Sequence, residues 1–163
     1  MMHLRRADVS DEAALAQIRR DAILTLAVLT LSPEQAAQWA ASAAADRIAR
    51  AIREHEVWVA VADAAVGWVE VDRDRVAGLY IAPAYANQGV GSALLARAET
   101  AIHSGGYTTA RLESSQNALA FYLRRSYRQC GSPDAEGAYP MRKDLTTVEL
   151  SEAATQLQYK EQS

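Results

Sequence analysis

Hydrophobic positions along the chain follow two periods, and the changes between them predict the elements. His3 to Ala7 reads as a short first strand. Asp8, Ser10 and Asp11 then offer helix-capping chemistry. Ala14, Leu15, Ile18, Ala22 and Ile23 recur at the spacing of one helix face, and the apolar stretch Ile23 to Leu31 either continues that helix or bends. Ser32-Pro33-Glu34-Gln35 is a second start, with Ser at the N-cap and Pro at the first helical position. That helix carries Ala36, Trp39 and Ala40. A third helical stretch, Asp46 to Glu54, puts Ile48, Ala51 and Ile52 on one face.

The period then changes. Val57 to Ala62, Val66 to Val71 and Arg75 to Ile81 are rich in β-branched residues, with Asp63-Ala64-Ala65 and Asp72-Arg73-Asp74 between them. They read as consecutive antiparallel strands joined by tight turns. A loop from Ala82 to Gln88 leads into an amphipathic helix from Gly89 or Val90 to Ser104, lined by Val90, Leu94, Leu95, Ala98, Ala101 and Ile102. Gly105-Gly106 closes it. A strand at Tyr107–Glu113, a short helix at Ala118–Arg125 and strands at Tyr127–Cys130 and Tyr139–Asp144 complete the pattern. The order β-α-α-β-β-β-α-β-α-β-β is that of an α/β (α+β) domain with a mixed sheet. It spans residues 1–145 and leaves 146–163 as a polar C-terminal tail with weak helical character.

Composition narrows the class. A chain of 163 residues, 50% hydrophobic and 23% charged, is the size and make-up of one globular domain. A net charge of −3 argues against a nucleic-acid binder. No apolar run approaches the ~20 residues that cross a bilayer, and Met1–Asp8 does not read as a secretory leader, so a cytoplasmic protein is expected. Cys130 is the single cysteine, which excludes an internal disulfide and a multi-cysteine zinc site. His3, His55 and His103 show no metal spacing, and no metal is expected. Trp39, Trp58 and Trp68 line either an acceptor pocket or the core, and Cys130 reads as a buried small hydrophobe.

The chemistry concentrates after Ile81. In Leu79-Tyr80-Ile81-Ala82-Pro83-Ala84-Tyr85-Ala86-Asn87-Gln88-Gly89-Val90-Gly91-Ser92, a strand enters a loop and glycines open a helix. Amides at a helix start have no intrahelical partner and carry partial positive charge, which suits a phosphate. Gly-x-Gly alone reads equally well as helix capping. A dinucleotide fingerprint needs a third glycine where Leu94 stands, and a P-loop needs a Lys before Ser92.

Strand, x-Pro-x-Tyr, Gly-x-Gly and amphipathic helix together resemble the acyl-CoA loop of the GNAT superfamily of N-acetyltransferases. Downstream, Leu112-Glu113-Ser114-Ser115-Gln116-Asn117-Ala118-Leu119-Ala120-Phe121-Tyr122 is similar to the family's strand and Phe-Tyr helix, in the family's order. Ala86 stands where the family usually has Arg or Gln, Ser115 where it often has Asn, and Ser126 where it has Gly before an aromatic residue, here Tyr127.

The resemblance implies a mostly antiparallel central sheet of six to seven strands flanked by helices. It implies acetyl-CoA as co-substrate and an amine acceptor, by direct transfer in a ternary complex. Leu79, Tyr80 and Ile81 would offer main-chain groups to the pantetheine arm, and Asn87, Gln88, Gly89, Val90, Gly91 and Ser92 would wrap the pyrophosphate. Tyr122 would protonate the departing thiolate, unless it is a core tyrosine. Glu113, or else Glu70, would take the amine's proton. Arg124 and Arg125 either meet the CoA 3′-phosphate or form a solvated helix end. The alternative is a non-catalytic acyl-CoA-binding or regulatory module. A homodimer using apolar positions of the tail is a further expectation.

Overall fold

Seven strands form one sheet in the order β1-β2-β3-β4-β5-β7-β6: β1 (His3–Arg6), β2 (Glu56–Val61), β3 (Ala65–Asp72), β4 (Arg75–Ile81), β5 (Thr109–Ser114), β6 (Arg128–Gln129) and β7 (Tyr139–Asp144). The computed structural model describes residues 1–27, 32–41 and 46–145. The bend read before Ser32 and the tail from Thr146 therefore lie outside the described residues. The helices are α1 (Glu12–Ala27), α2 (Pro33–Ala41), α3 (Arg47–Glu54), α4 (Val90–Ser104) and α5 (Leu119–Leu123). The stretch after Asp46 is thus a helix of its own, and three helices rather than two precede β2.

Local chemistry accounts for the helix starts. The Asp8 side chain accepts from the Ser10 amide at 2.8 Å while Asp11 accepts from the Asp8 amide at 2.9 Å, so each satisfies an orphan donor of the other. Arg5 clamps Asp11 through two contacts of 2.8 Å and ties this turn to β1. At α2 the same exchange recurs: the Gln35 amide donates to Ser32 Oγ at 3.2 Å, and the Ser32 amide donates to Gln35 Oε1 at 3.0 Å.

Each face of the sheet has its own cluster. On one, α4 buries Val90, Ala93, Leu94, Leu95, Ala98 and Ile102 against Val69, Val71, Val76, Ala110, Leu112 and Met141. On the other, Leu15 and Ile18 of α1 and Ile48 and Ala51 of α3 meet Val57, Val59 and Trp68. Trp68 is a core residue whose indole N–H donates to the Leu15 carbonyl at 3.1 Å, pinning α1 to β3. Trp58 is half-buried on the α4 side, with the Arg97 guanidinium 4.3 Å from its ring centroid. The Trp39 side chain lies outside the described residues. Cys130 is exposed, against the sequence expectation, because it follows β6, an edge strand whose own two residues are exposed.

Neighbouring strands are antiparallel except β4 and β5, which run parallel and meet at one register position, Arg75 opposite Arg111. The Arg111 amide donates to the Asp74 carbonyl at 2.9 Å there. Beyond this point β4 continues to Ile81 without pairing to β5, so the sheet opens into a V between its two halves.

Candidate active site

The V exposes a strand edge. The Ala82 amide donates to the Val66 carbonyl at 2.8 Å, which fixes the alternation of the antiparallel β3–β4 ladder. Tyr80 then spends its main-chain groups on Trp68, while those of Leu79 and Ile81 point toward the opening. Of the strand residues expected to offer main-chain contacts, Leu79 and Ile81 therefore can and Tyr80 cannot. The Tyr80 ring packs on the opposite side, 5.0 Å from the Trp68 ring. Farther down, Glu70 faces Gly78 and Val71 faces Val76, so Ala77 is an extra residue and β4 bulges beside the V.

At its upper end this edge runs into the glycine loop. Pro83–Tyr85 form a single 3-10 turn, and Gln88 Nε2 braces it by donating to the Ala84 carbonyl at 3.1 Å. Asn87 (φ 60°) and Gly89 (φ 85°) both take left-handed backbone and swing the chain into α4. Gly89 is the N-cap, and no side chain caps the helix. The first amides of α4, Val90, Gly91 and Ser92, thus lack intrahelical partners at the positive end of the helix dipole. Gly91 is glycine for another reason: a Cβ there would sit 3.2 Å from Phe121 Cζ. Its space is filled by the Phe121 ring, so it serves packing between α4 and α5.

Tyr122, on α5, is only 8% exposed and packs edge-to-face between Phe121, at 5.1 Å, and Tyr127, at 5.7 Å. Burial pushes its phenol well above the ordinary range, Tyr80 adds to this, and Arg125 opposes it. It is therefore protonated at neutral pH. Tyr127 is likewise pushed up by burial, and among the described residues its buried hydroxyl has no hydrogen-bond partner.

The two carboxylates have different surroundings. Glu113 is 43% exposed, on the side of β5 away from Leu112 and Ser114, which face the α4 core. Arg75 Nε donates to it at 2.8 Å beside the closed end of the V. Glu70 is 4% exposed, with one oxygen 2.7 Å from His55 Nδ1 and the other 3.3 Å from Arg47. Glu70 is thus enclosed, and it meets the surface through the half-buried His55 ring. The histidine was not legible as a partner because fifteen residues separate the two.

Arg124 is exposed, whereas Arg125 folds back over α5, its guanidinium 3.6 Å from the Phe121 ring centroid and bonded to Ser92 Oγ. The i, i+4 spacing of Phe121 and Arg125 was the one available sequence signal for this stacking.

A family model described as an acetyltransferase (GNAT) domain matches residues 27–145. No curated protein matches the chain in sequence. A GCN5-related N-acetyltransferase structure from Rhodopseudomonas palustris has a TM-score of 0.82 at 24% identity, covering 87% of this chain and 94% of that one. The PaiA N-acetyltransferase of Thermoplasma acidophilum, in complex with coenzyme A, gives 0.76 at 20%, covering 88% and 99%. YncA of Salmonella typhimurium, with its cofactor acetyl-CoA, gives 0.63 at 20%, covering 90% and 95%. At these identities the structural likeness is one of fold.

Proposed function

The chain belongs to the GNAT acetyltransferase family, and on that premise we propose that it is an acetyl-CoA-dependent N-acetyltransferase acting on a primary amine of a small molecule or protein by direct transfer in a ternary complex. One juxtaposition carries the reading. An unpaired edge at Leu79 and Ile81 leads into the uncapped N-terminus of α4, and the helix packed on that N-terminus holds the buried phenol of Tyr122. The structures with CoA and acetyl-CoA among its fold relatives support the same reading.

In this reading the main-chain groups of Leu79 and Ile81 hold the pantetheine arm as an added strand would. The loop from Asn87 to Ser92 receives the pyrophosphate. Acetyl-CoA, when bound, supplies a thioester carbonyl to the incoming amine: the C–N bond forms, the C–S bond breaks and the amine loses a proton. Tyr122 holds the proton destined for the sulfur, and burial keeps it there. Glu113 is the group we assign to accept the amine's proton. It lies on the side of β5 away from Tyr122, so acid and base serve opposite sides of the cleft. Glu70, enclosed between His55 and Arg47, is the second candidate.

The alternative of a non-catalytic acyl-CoA-binding module draws on one observation: both carboxylates are held in ion pairs. Calorimetry with acetyl-CoA tests the site. The wild-type protein is expected to bind, and Gly89→Asp to abolish binding by straining the left-handed cap and placing a carboxylate where the phosphate would lie. Unchanged affinity in that variant would remove the assignment of the loop.

A further inference from the structure

The N-terminus of α4 carries a positive charge of the wrong sign for a helix start. Helix N-termini favour anions, because the dipole is positive there. Here a guanidinium from another helix is anchored at that end. Arg125 Nε donates to Ser92 Oγ at 3.0 Å, Nη2 donates to the same oxygen, and Nη1 donates to the Phe121 carbonyl at 2.8 Å. Its plane stacks on the Phe121 ring, which in turn lies against Gly91. The nearest acid on α4 itself, Glu99, is held by Lys143 at 2.9 Å and 3.2 Å. Burial and the neighbouring Arg124 pull the pKa of Arg125 down, and Glu99 and Tyr122 oppose the shift.

The hydroxyl of Ser92 adds direction. A serine has one donor and two acceptor positions. Guanidinium N–H groups occupy both acceptor positions, which leaves the O–H proton as the contribution of Ser92 to a further acceptor. It sits in the first turn of α4, among the amides that lack partners.

We propose that Arg125 is a specificity-determining and positioning residue of the phosphate site at the start of α4, contributing the positive charge that the loop lacks at Ala86 and turning the Ser92 hydroxyl toward a pyrophosphate oxygen. The inference rests on the reading of Gly89–Ser92 as a pyrophosphate cradle. It names the pyrophosphate, rather than the 3′-phosphate, as the group that Arg125 serves.

Three probes separate the possibilities: CoA, 3′-dephospho-CoA and pantetheine, the first two titrated by calorimetry and the last by chemical-shift changes. Wild-type protein, Arg125→Gln, Arg125→Lys and Ser92→Ala are compared. Arg125→Gln is expected to weaken CoA and 3′-dephospho-CoA alike, by roughly 10- to 100-fold, the range of a hydrogen bond to a charged group. It should leave pantetheine unchanged. Arg125→Lys should recover part of the loss and Ser92→Ala should show a smaller one. A loss confined to CoA would assign Arg125 to the 3′-phosphate and overturn the inference. An equal loss for pantetheine would make its role structural, and no loss for any probe would remove it. Wild-type protein that binds pantetheine but gains nothing from the pyrophosphate would overturn the cradle itself, a different outcome from a neutral Arg125 variant.

Discussion

Tyr122 and Tyr127 are adjacent buried phenols with different assignments. Tyr122 is expected to hold the proton for the leaving sulfur. Tyr122→Phe keeps its volume and its ring contacts, so acetyl-CoA affinity by calorimetry should be unchanged. Amine-dependent release of CoA thiol should fall by roughly 10²- to 10⁴-fold, the usual worth of general acid catalysis. Tyr127 has a buried hydroxyl without a partner among the described residues, and an unsatisfied buried polar group costs about 1–3 kcal/mol. Tyr127→Phe should therefore match or exceed wild-type stability in urea unfolding, by about 1 kcal/mol. Clear destabilisation would mean that the hydroxyl is engaged. Tyr122 is legible in the sequence from its Phe-Tyr motif and Tyr127 as the aromatic after Ser126, but their difference is not, because it depends on what surrounds each hydroxyl.

The elements explain which parts of the site the sequence could reveal. Helix starts are local: Ser32 with Gln35, and Asp8 with Asp11, exchange bonds within four residues and were readable as such. Asp8→Ala should remove one capping bond and cost about 1 kcal/mol in thermal or urea unfolding. The strand–loop–helix from Leu79 to Ser92 was readable for the same reason. What stayed hidden is long-range. The main-chain direction of Tyr80 is set by its register with Trp68. The need for glycine at position 91 comes from Phe121, thirty residues away. Gly91→Val is accordingly expected to displace the Phe121 ring and, with it, Arg125. Its stability loss in urea unfolding should be accompanied by weaker CoA binding, whereas loss of stability with intact affinity would place α5 outside the site.

At the scale of the whole molecule, the fold class was legible because the changes of hydrophobic period fall where the elements change. The V between β4 and β5 was not, since it follows from one parallel pairing among antiparallel ones. The titrating groups set a pH window for stability. Arg5 holds Asp11, and Arg111 holds Asp74, below the ordinary carboxylate range. Their contribution is present above the unfolded value of ~4 and fades as pH falls through the folded values. Tyr122 and Tyr127 are held above ~10, so their contribution is present below that pH and fades as pH rises past it. Unfolding free energy measured in urea should fall at both ends, and Tyr127→Phe should flatten the alkaline limb.

The central claim is acetyl transfer to an amine across the V. Its most direct measurement is CoA thiol release from acetyl-CoA by the wild-type protein across a broad panel of amines, small molecules and peptide N-termini included. At least one amine is expected to raise the rate well above its value in buffer, with an acetylated product of matching mass. Release at the buffer rate with every amine, from protein that binds acetyl-CoA, would contradict it and leave a binding module.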